Sequence, residues 1–430
     1  MTSILDNAED FEFDSAPEER PEAPEASAQD FGPMAHVAPD AAGNGKATTS
    51  LVSIADAVEL LQAAWKHPIK ATSTGLKPLD KLLQGGLRPG DFVAVVGAAG
   101  GGKSALVGQI AIDAAKSGAV VMYASIEMPA TEILARWLAR EVFDLLKDDE
   151  KPTGDLGYSA ILFGEDIDEK RLNAAYSRLS DAAERVFVQQ VVPGSTVDDL
   201  TKLVKAAREM TRQAAPNAPF VLVVDPLQRF YASESGKRVG SALNAVNANE
   251  TERIGAVAQE LKAMCDHEQI AVIVTSDTTK AAAGGYQSSS QSLRGSYQFN
   301  HLATLVLGLH SKETPEDLDA YLEKGRNSSK TEGVGEVSTM TESDFDRAMP
   351  KKWHSTPAKG LGARTILVEC SKNRRGAPQD FALGAVLGAA WFGCTGDDDF
   401  GRSPPKAKAP NVAKTKKSKQ VPQIPDDEEY

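Results

Sequence analysis

From about Gly75 to Gly393, short apolar runs alternate with longer stretches of helical period. "DFVAVVG", "AVVMYASI", "RVFVQQ", "FVLVVD", "IAVIVTS", "LATLVLGL" and "ARTILVEC" read as strands. "SALVGQIAIDAAKSG", "ATEILARWLAREVFDLL", "DEKRLNAAYSRLSDA", "TVDDLTKLVKAAREM" and "ETERIGAVAQELKAMCDHE" read as helices. Alternation at this length predicts an α/β domain, residues 71–400, with a largely parallel central sheet.

The pattern changes on either side. In "SIADAVELLQAAW", Ser53 is placed to cap a helix, with Asp56 three residues on. Ile54, Val58, Leu61 and Trp65 then share one face. This predicts a single amphipathic helix in a linker, residues 51–70, packed either on its own core or on a neighbour. Residues 1–50 are rich in Ala, Pro and Glu with no apolar period, and are expected to be disordered. Residues 311–360 are polar and aperiodic, and read as a long mobile insertion between two strands. The segment 401–430 reads as a disordered tail. It carries seven bases from Arg402 to Lys419, then Asp426, Asp427, Glu428 and Glu429 before Tyr430. Such a tail either solubilises the chain, or its basic part adds non-specific affinity for a polyanion while the acidic tip docks a partner or competes for the same site.

Composition narrows the class. The chain has 430 residues, 41% of them hydrophobic, enough for a large core. No run approaches the ~18–20 apolar residues of a membrane span. The N-terminus "MTSILDNAEDFEFD" lacks the basic and apolar regions of a secretory signal. Cys265, Cys370 and Cys394 are odd in number and not in metal-ligand spacing, so a reducing cytoplasm is the expected compartment. Net charge is −13, but residues 1–50 hold eleven acids and two bases, leaving −4 for the rest. Global acidity therefore does not exclude a nucleic-acid partner; local placement decides.

"VAVVGAAGGGKSALVGQ" contains G-x-x-x-x-G-K-S, preceded by a strand pattern and followed by a helical one. That context marks a phosphate-binding loop: Gly97, Ala98, Ala99, Gly100, Gly101, Gly102, Lys103 and Ser104. Backbone amides cradle phosphate oxygens at a helix N-terminus. Lys103 is expected on the β- and γ-phosphates of ATP, and Ser104 on Mg²⁺. Asp225, ending "FVLVVD", supplies the matching carboxylate on the metal side. Glu127 ends the strand expected beside the loop strand, where a carboxylate can take a proton from an attacking water.

With these residues in place, "STGLKPLDKLLQGGLRPGDFVAVVGAAGGGKS", "SIEMPATEILARWLARE" and "FVLVVDPLQRF" together resemble the RecA-like motor domain of DnaB-type replicative helicases. The resemblance covers roughly residues 51–393. It implies a hexameric ring that hydrolyses ATP to move along single-stranded DNA, 5′ to 3′. It also implies that a Lys-x-Arg pair on a late hairpin enters the neighbouring subunit's nucleotide site. "CSKNRRGAP" carries that pair as Lys372 and Arg374, with Arg375 left without a role beyond solvent or DNA. "SLRGSYQFNHLATLVL" resembles the DNA-contacting loop, with Arg294 at its basic position. Arg294 for phosphate, and Gly295, Ser296 and Tyr297 with their backbone amides, suit a sequence-blind grip. Tyr297 either stacks on a base or packs.

Three departures stand out. Asp277 follows "IAVIVTS" where the family usually has Gln, and an anion facing the γ-phosphate is unfavourable unless Mg²⁺ or a lysine intervenes. Gly295 and Tyr297 replace the usual Glu and Gly. An acidic segment stands where cellular replicative helicases carry a helical domain, which points to a phage, plasmid or accessory enzyme. Two other readings remain: a RecA-like ATPase that remodels DNA without unwinding it, and an ATP-gated scaffold or loader.

Overall fold

A computed structural model describes residues 53–66, 68–147, 150, 152–233, 250–277, 301–312, 349 and 351–393. The chain divides into two units, Met1–Lys70 and Ala71–Tyr430. In the first, α1 (Ile54–Lys66) forms as expected. The Ser53 hydroxyl accepts from the Asp56 amide at 3.1 Å, and the Asp56 carboxylate accepts from the Ser53 amide at 3.3 Å. This reciprocal cap satisfies two donors that every helix start leaves open.

The second unit is built on one nine-stranded sheet. Its strands are β1 (Phe92–Gly97), β2 (Val120–Ser125), β3 (Val186–Gln190), β4 (Phe220–Asp225), β5 (Ala271–Asp277), β6 (Leu305–Lys312), β7 (Ala363–Asn373), β8 (Phe381–Val386) and β9 (Trp391–Gly393). The order across the sheet is β3-β2-β4-β5-β1-β6-β7-β8-β9. The first six run parallel, and β7, β8 and β9 continue the sheet antiparallel.

Every residue of β1, β2 and β4 is buried, which is why these strands read as apolar runs rather than alternating ones. Their period of two still decides which layer each side chain joins. Val93 and Val95 face the layer of α3 (Lys103–Lys116), α4 (Ala130–Leu145) and α6 (Glu169–Ala183). Phe92, Ala94 and Val96 face α7 (Val197–Thr211) and α8 (Glu250–His267). Each fully buried Val, Leu or Phe contributes about 1.5–3 kcal/mol by leaving water.

All seven expected strands are present, and the sheet is largely parallel as predicted. Three features differ from the sequence reading. α2 (Lys77–Leu82) and α5 (Tyr158–Phe163) are too short to show a period. The run "DFALGAVLGAAWF" folds into β8 and β9. Most of the insertion expected over 311–360 lies outside the described residues; at its two ends β6 extends to Lys312 and a short helical turn runs Lys351–His354. Met349 and Trp353 are buried against the glycine at 384, where a Cβ would lie 2.1 Å from Met349 Cε. α9 (Thr356–Gly360) follows. A Met and a Trp spaced through polar sequence carry no period, but burial of both closes the end of the sheet.

Candidate nucleotide site and basic hairpin

β1 lies mid-sheet between β5 and β6, and the chain leaves it for a β2 that lies beyond β5 and β4. That makes its C-terminal end a crevice where ligands bind in open α/β sheets. The loop after Gly97 fills this position. Gly102 caps α3 at φ +88°, and a Cβ there would also meet Leu387 at 3.1 Å and the Phe392 ring at 3.3 Å. Only glycine satisfies both limits. No side chain caps the N-terminus of α3. Its first-turn amides, at the positive end of the helix dipole, are therefore available to an anion.

Lys103 folds back over its own loop. Nζ donates to Gly97 O at 3.0 Å and Ala98 O at 2.9 Å, and pairs with Asp277 Oδ1 at 2.8 Å. Ser104 Oγ donates to Asp225 Oδ1 at 3.1 Å, bringing together two residues 121 apart in sequence. A hydroxyl and a carboxylate are hard oxygen donors that suit Mg²⁺, which also draws on substrate phosphates and water. Among the described residues no cluster of three or more His, Cys, Asp or Glu forms an all-protein metal cage.

Asp225 is buried and held by two residues that sequence reasoning missed. Tyr123 OH donates to Oδ2 at 2.7 Å, and Thr275 Oγ1 donates to Oδ1. Burial, then the Asp225 charge, pushes the Tyr123 phenol far above its ordinary value, so it remains a donor. The signal was available: a Tyr and a Thr inside strands buried on both faces need polar partners.

Glu127 stands just past β2. The Ile126 amide donates to Asp225 O at 3.2 Å and the Met128 amide to Ser125 Oγ at 3.0 Å, pinning the loop beside β4. The Glu127 side chain is exposed, with Oε1 3.7 Å from Arg229 Nε.

The basic hairpin lies elsewhere. Lys372 is on β7, paired with Val306, while Gly97 pairs with Leu309, three residues further along β6. The Arg374 amide donates to Thr304 O at 2.9 Å. Arg374 is thus five residues down β6 from the level of the P-loop, about 16 Å along the strand direction. Burial, with help from Arg374, lowers the Lys372 ammonium to about 8, and Arg374 is exposed.

Arg375 has a definite partner. Its Nε and Nη2 donate to Asp91 Oδ1 at 3.0 and 2.7 Å. Asp91 is buried, and its other oxygen accepts from the Arg88 amide at 2.7 Å. Asn373 Nδ2 reaches Leu82 O at 3.1 Å, and Gln84 Nε2 donates to Arg375 O. The hairpin tip is therefore tied to the α2–β1 connection rather than left to solvent. Arg294, Gly295, Ser296 and Tyr297, predicted for DNA contact, lie outside the described residues, as do the segments 1–52 and 394–430.

Sheet order, loop position and the Lys103–Ser104–Asp225 constellation define a P-loop domain of RecA-like architecture. The chain belongs to the DnaB-like helicase C-terminal domain family, whose model matches residues 71–334. One solved structure, of an ATPase domain, aligns with TM-score 0.56 at 17% identity, covering 80% of this chain and 99% of that one. A DnaB-like replicative helicase, solved in a study of its interactions with primase, aligns with TM-score 0.54 at 17% identity, covering 80% of this chain and 67% of that one. At such identity the two structures show the shared fold. No curated protein sequence matches the chain significantly.

Proposed function

We propose that this protein is a ring-forming, ATP-driven helicase that moves along single-stranded DNA in replication. Family membership supports the class of activity. The observation that carries the ring is the placement of the basic hairpin: Lys372 lies three residues, and Arg374 five, down β6 from the level of their own P-loop, and the hairpin tip leads away from it past the start of β1. They serve a nucleotide only on another subunit, so a complete site takes two chains.

In this reading the loop from Gly97 to Gly102 wraps the phosphates with its amides, and Lys103 reaches the β- and γ-phosphates. Ser104 and Asp225 would hold Mg²⁺, which neutralises charge on the β- and γ-oxygens. Tyr123 and Thr275 keep the Asp225 carboxylate turned toward Ser104. Glu127 takes the proton of the attacking water. Lys372 and Arg374 of an adjacent copy stabilise the charge of the transferred phosphoryl group, an effect worth about 10³–10⁵ in rate for an arginine finger. Arg294, with the amides from Gly295 to Tyr297, grips the DNA backbone. The basic-then-acidic tail docks DNA or another replication protein.

The test is strand separation on forked DNA with ATP and Mg²⁺. We expect unwinding of a fork with a free 5′ tail and none by Lys103→Ala. DNA-stimulated hydrolysis without unwinding would instead make the protein a remodelling ATPase. Hydrolysis indifferent to DNA would make it a scaffold.

A further inference from the structure

The roles above leave Asp277 unexplained. β5 ends with it directly beside Gly97 of β1. A lysine ammonium has three N–H donors. Those of Lys103 meet three oxygens: Gly97 O, Ala98 O and Asp277 Oδ1. The two carbonyls belong to the loop itself, and giving one up would move the backbone that cradles phosphate. The third partner can leave without that cost. The Asp277 side chain is 47% exposed, whereas that of Lys103 is 9% exposed. A rotamer change takes the carboxylate into water, while the ammonium stays and requires an anion.

We propose that Asp277 is an internal anion that nucleotide phosphates must displace from Lys103, so that it sets the affinity of the site for nucleoside di- and triphosphates. The inference rests on the nucleotide-site reading above. A phosphate oxygen that replaces the carboxylate trades one charge-assisted hydrogen bond for another. The gain from Lys103 is then the difference between two ion pairs rather than the whole of one. Asparagine at 277 can accept a hydrogen bond from Lys103 but carries no charge, which leaves the full pair for the phosphate.

Equilibrium titration of the full chain with ADP, and separately with a non-hydrolysable ATP analogue, tests this at constant Mg²⁺. Asp277→Asn should bind both ligands about three- to tenfold more tightly than the wild type, the size of one modest ion pair. Asp277→Glu, which keeps the competing charge, should stay near the wild type. An unchanged thermal midpoint shows that the variants fold, as an exposed strand end should allow. Unchanged or weaker binding by Asp277→Asn overturns the proposal. Tightening confined to the ATP analogue also overturns it, since that would place the effect at the γ-phosphate rather than on Lys103. If the wild type bound neither ligand, the nucleotide-site reading would fail with it. Normal wild-type binding with an unmoved Asp277→Asn removes only the role of Asp277.

Discussion

Asp113 shows how strongly one position on α3 depends on its surroundings. Its carboxylate sits 2.8 Å from Arg140, with the glycine at 75 packed so close that a Cβ there would fall 2.2 Å from Oδ2. Burial outweighs the Arg140 and Lys116 charges and lifts the Asp113 carboxyl to about 6. Because the folded value lies above the unfolded one, the charged form is penalised in the native state. The penalty is absent below about pH 4, grows as pH rises, and is complete above about pH 6. A shift of this size corresponds to about 3 kcal/mol at most. Thermal unfolding of wild type and Asp113→Asn between pH 4 and 7 measures it. The wild type should lose stability relative to the variant as pH rises through that window. Parallel curves would show that Asp113 ionises normally.

At the scale of elements, the proposed role of Lys372 and Arg374 makes the rigidity of the β7–β8 connection testable. Arg375 and Asn373 fasten it to the α2–β1 connection, and the buried Asp91 has Arg375 as its cationic partner. Arg375→Ala would leave that carboxylate buried and uncompensated, a loss of about 3 kcal/mol. The hairpin would then sample positions in which Lys372 and Arg374 miss their target. We expect turnover at saturating ATP to fall about tenfold, a modest part of the finger effect. Nucleotide affinity should stay unchanged, because the P-loop lies at the other end of the strands. Steady-state kinetics alongside direct nucleotide titration separate the two. Equal loss in both would mean that the variant unsettles the whole sheet. Unchanged turnover would mean that the hairpin needs no anchor.

For the whole molecule, the separation of hairpin and P-loop predicts shared sites. Arg374→Ala should bind nucleotide but lose most ATPase activity. Lys103→Ala should be inactive with its hairpin intact. Mixing the two inactive proteins should restore part of the activity wherever an intact P-loop meets an intact hairpin. A doubly substituted chain added to either should restore none. A dead mixture, with subunit exchange shown by a labelled chain, would place Arg374 outside the nucleotide site.

The parts legible in the sequence are those governed by local rules. Glycine spacing, a strand before and a helix after suffice to find the P-loop, because amides at a helix start bind phosphate wherever they occur. Buried parallel strands read as apolar runs, and Asp225 was recognisable as the residue ending one of them. What only the tertiary structure decided is which distant residues meet. The order β2-β4-β5-β1-β6-β7 brings Thr275 and Tyr123 to Asp225, and Asp277 to Lys103. It also sets the hairpin that carries Lys372 and Arg374 three to five residues down β6 from the level of Gly97. Arg375 and Asp91 are 284 residues apart, and nothing near either marks the other as its partner. Local sequence sets the backbone of each element, but strand order is set by long-range pairing and burial. The residues that surround Lys103 and Asp225 follow from that order.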